Sequence, residues 1–417
     1  MKVKYHKEFL NLLQEYPDQI SKHLDELFSE LLSLLDLENI VSIILLGSAS
    51  RNELSFSFSS ENKIDLHSDY EFVIITKRKI QKNIVDEVNN LIDNLESKWQ
   101  IRSPLFCIDY GISTLQKFKH TPTTFWSFEV KSLGKIVYGE DAKKFLKDVN
   151  IENLDRGNLN ELIIIRLWHM FIHMNNAYIE GGSSEYERRV INYYYARNIL
   201  EIPTILLPRK ELLIAGYRDR IKKLQSIDIQ SWADFDEIFK EALKIKLNKS
   251  SEVNEKKLRQ YFIKGYLRLL DIQSIEKFNP EHLRKHLKGF FKESFIRSMR
   301  TKYTHLVLFK NYYKFNIFSL KIFFYNNLRI YLILILVYLH YSIIEEDMNL
   351  KIEYLKEAFS YLRDISLRNL EYDKTVCYSN NVNILRENLI EFMFIWLYKR
   401  SMVDKSDLME MYSWSEN

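Results

Sequence analysis

Asp69 and Glu71 stand one residue apart where a β-rich run begins, Tyr70-Glu71-Phe72-Val73-Ile74-Ile75-Thr76. Alternate side chains of an extended strand share a face, so the two carboxylates point the same way. Adjacent carboxylates repel each other unless a hard cation lies between them. Upstream, an apolar run from Ile40 to Leu46 ends at Gly47-Ser48, with Arg51 shortly after. A Gly-Ser turn beside a strand-borne Asp-x-Glu has the makings of a cradle for Mg²⁺ carrying a nucleotide's phosphates. Asp109 adds a third acid, inside the otherwise apolar Leu105-Phe106-Cys107-Ile108-Asp109. An ionised carboxylate there is costly without a partner. If its strand lies beside that of Asp69, three acids converge, enough for two metals or for one metal and a proton acceptor. Phosphoryl and nucleotidyl transfer need such a set.

The elements that must position these groups follow from the pattern of the chain. Residues 3–35 read as one or two amphipathic helices. Residues 40–46 and 70–76 read as strands, 80–98 as a helix, and 105–110 as a strand ended by Gly111. Phe125-Trp126-Ser127-Phe128-Glu129-Val130 and Lys135–Gly139 complete the expected mixed sheet. Beyond residue 141 helical periodicity takes over, over 159–179, 186–201, 208–225, 232–247, 255–273 and further segments. The 417 residues hold only 10 Gly and 6 Pro, which disfavours turn-rich sandwiches and barrels. The expected class is α+β, a small mixed-sheet domain followed by a large all-helical region. The expected divisions are an N-terminal helical segment (1–35), a catalytic domain (36–147), a helical domain (148–250) and a basic, apolar C-terminal helical domain (251–417).

In this order, the strand, Gly47-Ser48, Arg51, Asp69-x-Glu71 and the later strand Asp109 resemble the DNA polymerase β-like nucleotidyltransferase superfamily, nearest the bacterial aminoglycoside and minimal nucleotidyltransferases. Gly134-Lys135-Ile136-Val137-Tyr138-Gly139 matches a segment common in that family, and a helical region follows it, as there. The resemblance spans about residues 40–145. It implies that Gly47 and Ser48 hold nucleotide phosphates, that Asp69 and Glu71 bind Mg²⁺, and that Asp109 completes the metal site or deprotonates the acceptor hydroxyl. Arg51 resembles a position that contacts phosphate or stabilises the turn. The spacer from Ser48 to Asp69 is longer than in the compact motif, and Glu stands where Asp is commoner as second carboxylate.

The expected activity is Mg²⁺-dependent transfer of a nucleoside monophosphate from an NTP, ATP being the expected one, to an acceptor hydroxyl. One or two ions take part, pyrophosphate leaves, and a small molecule or glycan precursor is the favoured acceptor. The alternatives are a catalytically inactive nucleotide-binding or interaction protein, and a toxin–antitoxin-type module acting on RNA or protein.

Residues 244–329 carry 20 Lys and Arg against 6 Asp and Glu, in a chain of net charge only +4. Such a block can meet nucleic acid, but its alternation with apolar residues is that of a solvated helical face. Arg300 and His305 have the spacing of an RNA-cleaving pair, without the polar amide usual after the Arg. His169 and His173, one helical turn apart among Trp, Met, Phe and Ile, read as core or interface histidines, with no third ligand beside them. Tyr193–Tyr195 and Arg197 read as a helix–helix contact, and Glu129 as an alternative base on its strand. No Walker loop, Gly-x-Ser-x-Gly or Gly-x-Gly-x-x-Gly occurs. The apolar run Ile330–Ile344 is too short to span a bilayer. Two cysteines, Cys107 and Cys377, and the lack of an export signal lead to the expectation of a cytoplasmic protein.

Overall fold

Heptad-like spacing of apolar residues starts the chain. Helix α1 (Lys7–Glu15) buries Phe9 and Leu12, and α2 (Asp18–Leu34) buries Ile20, Leu24, Leu27, Phe28 and Leu31, one stripe per helix. Strand β1 (Ile40–Leu46) follows, buried at all seven positions, and a single helical turn, α3 (Gly47–Ser50), leaves its end. The computed structural model describes residues 4–58, 63–99, 106–172, 174, 176–227, 230–248, 254–272, 287, 328–366 and 370–398.

A short hairpin, β2 (Phe56–Phe58) with β3 (Ile64–Leu66), leads to β4 (Tyr70–Thr76). Helix α4 (Lys82–Trp99) then crosses over to β5 (Ile108–Thr114), which lies parallel to β4, as a crossover of that length allows. Helices α5 (Leu115–Lys119) and α6 (Phe125–Leu133) precede β6 (Lys135–Gly139). The four-stranded sheet runs β5-β4-β1-β6, antiparallel except for β4 with β5, and is therefore mixed. One face, carrying Ile43, Leu45, Tyr70, Phe72, Ile74 and Ile108, packs on α1, α2 and α4. The other, carrying Ile44, Leu46, Val73 and Ile75, packs on Phe118, Val130 and Leu146. Covering both faces makes β1 a continuous apolar run instead of an alternating one.

Two expectations for the sheet are corrected. Phe125–Val130 is not a strand: it forms most of α6, because Thr124 and Ser127 close a reciprocal capping box that starts a helix there. The β5 strand does not stop at Gly111 but continues to Thr114, with Gly111 opposite Val73 in register. The α+β class stands, a small mixed sheet and then mostly helix.

By contact the chain divides into two compact units. One comprises residues 1–159 and 206–251, the other 160–205 and 252–417. To the first unit belong α11 (Tyr217–Ser226) and α12 (Asp236–Lys246) as well as the sheet. In sequence, α7 (Arg156–Ile172), α8 (Asn176–Glu180), α9 (Glu185–Leu200) and α10 (Ile202–Arg209) come between the sheet strands and these two helices.

The second unit adds α13 (Glu255–Leu269), α14 (Leu328–Ile344), α15 (Met348–Ser366) and α16 (Tyr378–Tyr398). Helix α14 is buried from Ile330 through His340 and faces α15 through Tyr338 on Tyr361. Among the described residues no helix is long and apolar enough to cross a membrane. His340 Nε2–H donates to the Leu167 carbonyl at 2.9 Å, and burial pushes its imidazole down to about 3. A histidine neutral when folded but protonated when unfolded destabilises the fold as pH drops below its ordinary value. Between pH 6.5 and 5 the urea midpoint should therefore fall, by up to about 1.4 kcal/mol of stability per pH unit from this group. His340→Gln, which keeps a donor but no titration, should lose that increment; equal slopes for both proteins would refute it.

Candidate functional site

The sheet delivers two of the three predicted acids to one face. Tyr70, Phe72, Ile108 and Tyr110 point into the core shared with α1, α2 and α4, so strand alternation turns Glu71 and Asp109 to the opposite side. Parallel register sets Glu71 directly across from Asp109. Asp69 lies just before β4, and its Oδ1 accepts the Cys107 N–H at 3.2 Å. Desolvation, and after it the neighbouring Asp69 carboxylate, hold the Asp109 carboxyl above its ordinary value. A fourth acid, Glu96 on α4, accepts the Ile108 N–H at 2.6 Å; burial raises its carboxyl against the effect of that bond, with Asp93 and Asp69 contributing.

Gly47 is where β1 turns away. Its φ of +61° is a left-handed conformation, and a Cβ there would stand 2.2 Å from Glu71 Oε2. The missing side chain is the space that the Glu71 carboxylate occupies. The turn itself is held by Tyr16, whose hydroxyl donates to the Ala49 carbonyl at 2.6 Å, and by Ser50 Oγ donating to the Gly47 carbonyl at 3.0 Å. Glu53 N–H donates to the Ser48 carbonyl at 2.9 Å. Gly47, Ser48, Glu71 and, across the strands, Asp109 and Asp69 thus occupy one end of the sheet. Among the described residues, however, no three His, Cys, Asp or Glu side chains are gathered as a ready metal cluster.

Arg51 is engaged by protein. Its Nε donates to Glu53 at 2.9 Å, its Nη1 to Glu129 at 3.3 Å, and its guanidinium lies over the Tyr217 ring. Burial alone would lower its pKa, but Glu129, Tyr217 and Glu53 more than offset it, so the side chain stays charged. Glu129 lies on helix α6, not on a strand, and also pairs with Arg220, which is 1% exposed. A residue bound to two guanidiniums is poorly placed to act as a free base.

Glu53, Arg220, Cys107, Glu96 and Lys246, whose Nζ donates to Ser68 Oγ at 2.5 Å, are neighbours of the site that sequence reasoning did not single out. Of the remaining candidates, His169 Nδ1 lies 3.2 Å from Arg166 Nη1, and Tyr195 packs edge-on against Phe262. His173, Arg300, His305 and most of the basic block 244–329 lie outside the described residues.

No protein-family model matches the chain, and no curated protein sequence matches it. Among solved structures, a spectinomycin adenyltransferase, AAD(9) from Enterococcus faecialis, crystallised with ATP and spectinomycin, is similar over 60% of this chain and 98% of its own. The identity is 14% and the TM-score 0.35, a likeness too slight to decide function.

Proposed function

We propose that the chain is a nucleotidyltransferase that moves a nucleoside monophosphate from an NTP to an acceptor hydroxyl. The observation that supports this reading is Glu71 set across from Asp109 on one sheet face, with Asp69 just before the same strand, beside a left-handed glycine whose missing side chain makes room for Glu71. ATP is the expected nucleotide, and a hydroxyl-rich small molecule or glycan precursor the expected acceptor.

The donor set fits Mg²⁺. All three groups are hard carboxylate oxygens, and Mg²⁺ is ordinarily held by one or two carboxylates plus substrate phosphates, so a preformed three-ligand cage is not required. Asp69 and Glu71 would hold the ion, which when bound neutralises triphosphate charge. Gly47 and Ser48 let the phosphates approach the backbone at the turn. Asp109, whose carboxyl is held above its ordinary value by desolvation and then by Asp69, would take the proton of the attacking hydroxyl. Most of the rate enhancement would come from positioning and from charge complementarity.

The test is pyrophosphate release from Mg²⁺ and each NTP across a panel of aminocyclitols, sugars and sugar phosphates. Release that needs both the metal and an acceptor is the expected result. No release with any pair, together with no Mg²⁺-dependent nucleotide binding, would defeat the reading.

Gly47 provides a separate check. In Gly47→Ala the left-handed backbone costs about 1–2 kcal/mol, and the added Cβ forces the Glu71 carboxylate away. Weakening of Mg·ATP binding by about tenfold or more is expected alongside that modest stability loss. Calorimetric titration beside a melting curve measures both, and unchanged binding would remove Glu71 from the site.

A further inference from the structure

The spacer between Ser48 and Asp69 is where this chain departs from the compact motif, and it is fastened at both ends by one later stretch of the same unit, residues 216–248. At the first end Glu53, 3% exposed, accepts the N–H groups of Tyr217 at 3.3 Å and Arg218 at 3.0 Å, the opening turn of α11. Glu129 accepts the Gly216 N–H at 3.4 Å, so two carboxylates cap the positive end of one helix. Arg51 links those carboxylates to each other, and Arg220 on α11 pairs with Glu129 from the far side. At the second end Lys246, the last residue of α12 and 3% exposed, donates to Ser68 Oγ, which also accepts the Ser55 N–H at 3.0 Å. Between the ends, Asn248 Nδ2 donates to the Phe56 carbonyl of the hairpin at 3.1 Å.

Ser68 immediately precedes Asp69, and Arg51 immediately follows the Gly47–Ser50 turn. The two fastened points are therefore the two sides of the candidate phosphate and metal site. A buried lysine and a buried glutamate are costly to keep unless their geometry is used, since an apolar side chain fills the same volume more cheaply. We infer that residues 216–248 brace the spacer, and that Glu53, Glu129, Arg220 and Lys246 are positioning residues that set the separation of the Gly47-Ser48 turn from Asp69 for nucleotide binding. The inference rests on the nucleotidyl-transfer reading.

A double-mutant cycle on the full chain tests it, with Glu53→Gln and Lys246→Met. Two readouts are needed: Mg·ATP affinity by calorimetric titration, and amide exchange over 52–58 and 63–69. Each single change should weaken Mg·ATP by about tenfold and speed exchange in the spacer. The double variant should fall well short of the roughly hundredfold product, because both changes loosen one element. Wild-type binding with unaltered affinity in the folded single variants overturns the inference, and so does a full product. If either variant loses its far-UV circular dichroism, Tyr217→Leu and Asn248→Ala replace the pair and are judged in the same way. If wild type binds no Mg·ATP, the reading of function fails by itself. Spacer exchange then decides the brace alone, unchanged rates overturning it and faster rates sustaining it.

Discussion

Asp109→Asn is expected to lower pyrophosphate release by about 10²–10⁴-fold, the usual size of a lost general base, while Mg·ATP binding changes by no more than about twofold. Desolvation, and after it the neighbouring Asp69, make the Asp109 carboxyl more basic, which suits it to take a proton instead of binding a cation as a permanent anion. Asp69→Asn with Glu71→Gln should behave differently. Removing both hard donors should abolish Mg²⁺-dependent binding, and turnover should fall by about 10³-fold or more. Titration and turnover on the same preparations separate the roles. If Asp109→Asn loses binding as completely as the double variant, Asp109 belongs with the metal ligands and the base lies elsewhere.

Glu129→Ala is the substitution expected to cost most stability. Glu129 stands between Arg51 and Arg220, whose side chains are 9% and 2% exposed. Deleting it takes the carboxylate away from the buried Arg220 guanidinium and frees the Gly216 N–H at the start of α11. Breaking one partner of a buried pair typically costs about 3–5 kcal/mol, which for a unit of this size lowers the melting midpoint by on the order of 10 °C. Glu129→Gln should cost less, because its amide oxygen can still accept from Gly216 and Arg220. Lys240→Ala is the contrast. Its pairs with Asp236 and Glu237 are exposed, and its loss should change stability by less than about 1 kcal/mol. Equal effects for Glu129→Ala and Lys240→Ala would show that the network is not a buried one.

Much of the sheet is legible from local pattern. A strand covered on both faces, as β1 is, must be continuously apolar, and an exit at a left-handed position favours Gly, so Ile40–Gly47 announces itself. The register of β4 and β5 is less local: Asp109 inside an apolar run suggests a buried acid in need of partners, but it is exposed on the edge strand β5. Helix α6 was hidden by its composition, because Phe, Trp and Val favour strands. The signal against that reading was Thr124 three residues before Ser127, a capping box closed by a serine instead of the usual Glu or Gln. Glu53, Arg220 and Lys246 had no local signal at all. Glu53 meets Arg218 across 165 residues and Lys246 meets Ser68 across 178, and such pairings leave no trace in spacing or periodicity.

That same separation has a consequence for synthesis. The unit that carries the candidate site is assembled from two stretches, so after Ser68 emerges its partner Lys246 must still be made. At ordinary elongation rates of about 5–20 residues per second, that is a wait on the order of ten seconds or more. Over that interval the sheet can form, but the spacer beside Asp69 has no brace and the cap of α11 has no helix to receive it. The site is therefore completed late, after the sheet beneath it, and a nascent chain halted before residue 246 would carry the three acids without the frame that spaces them.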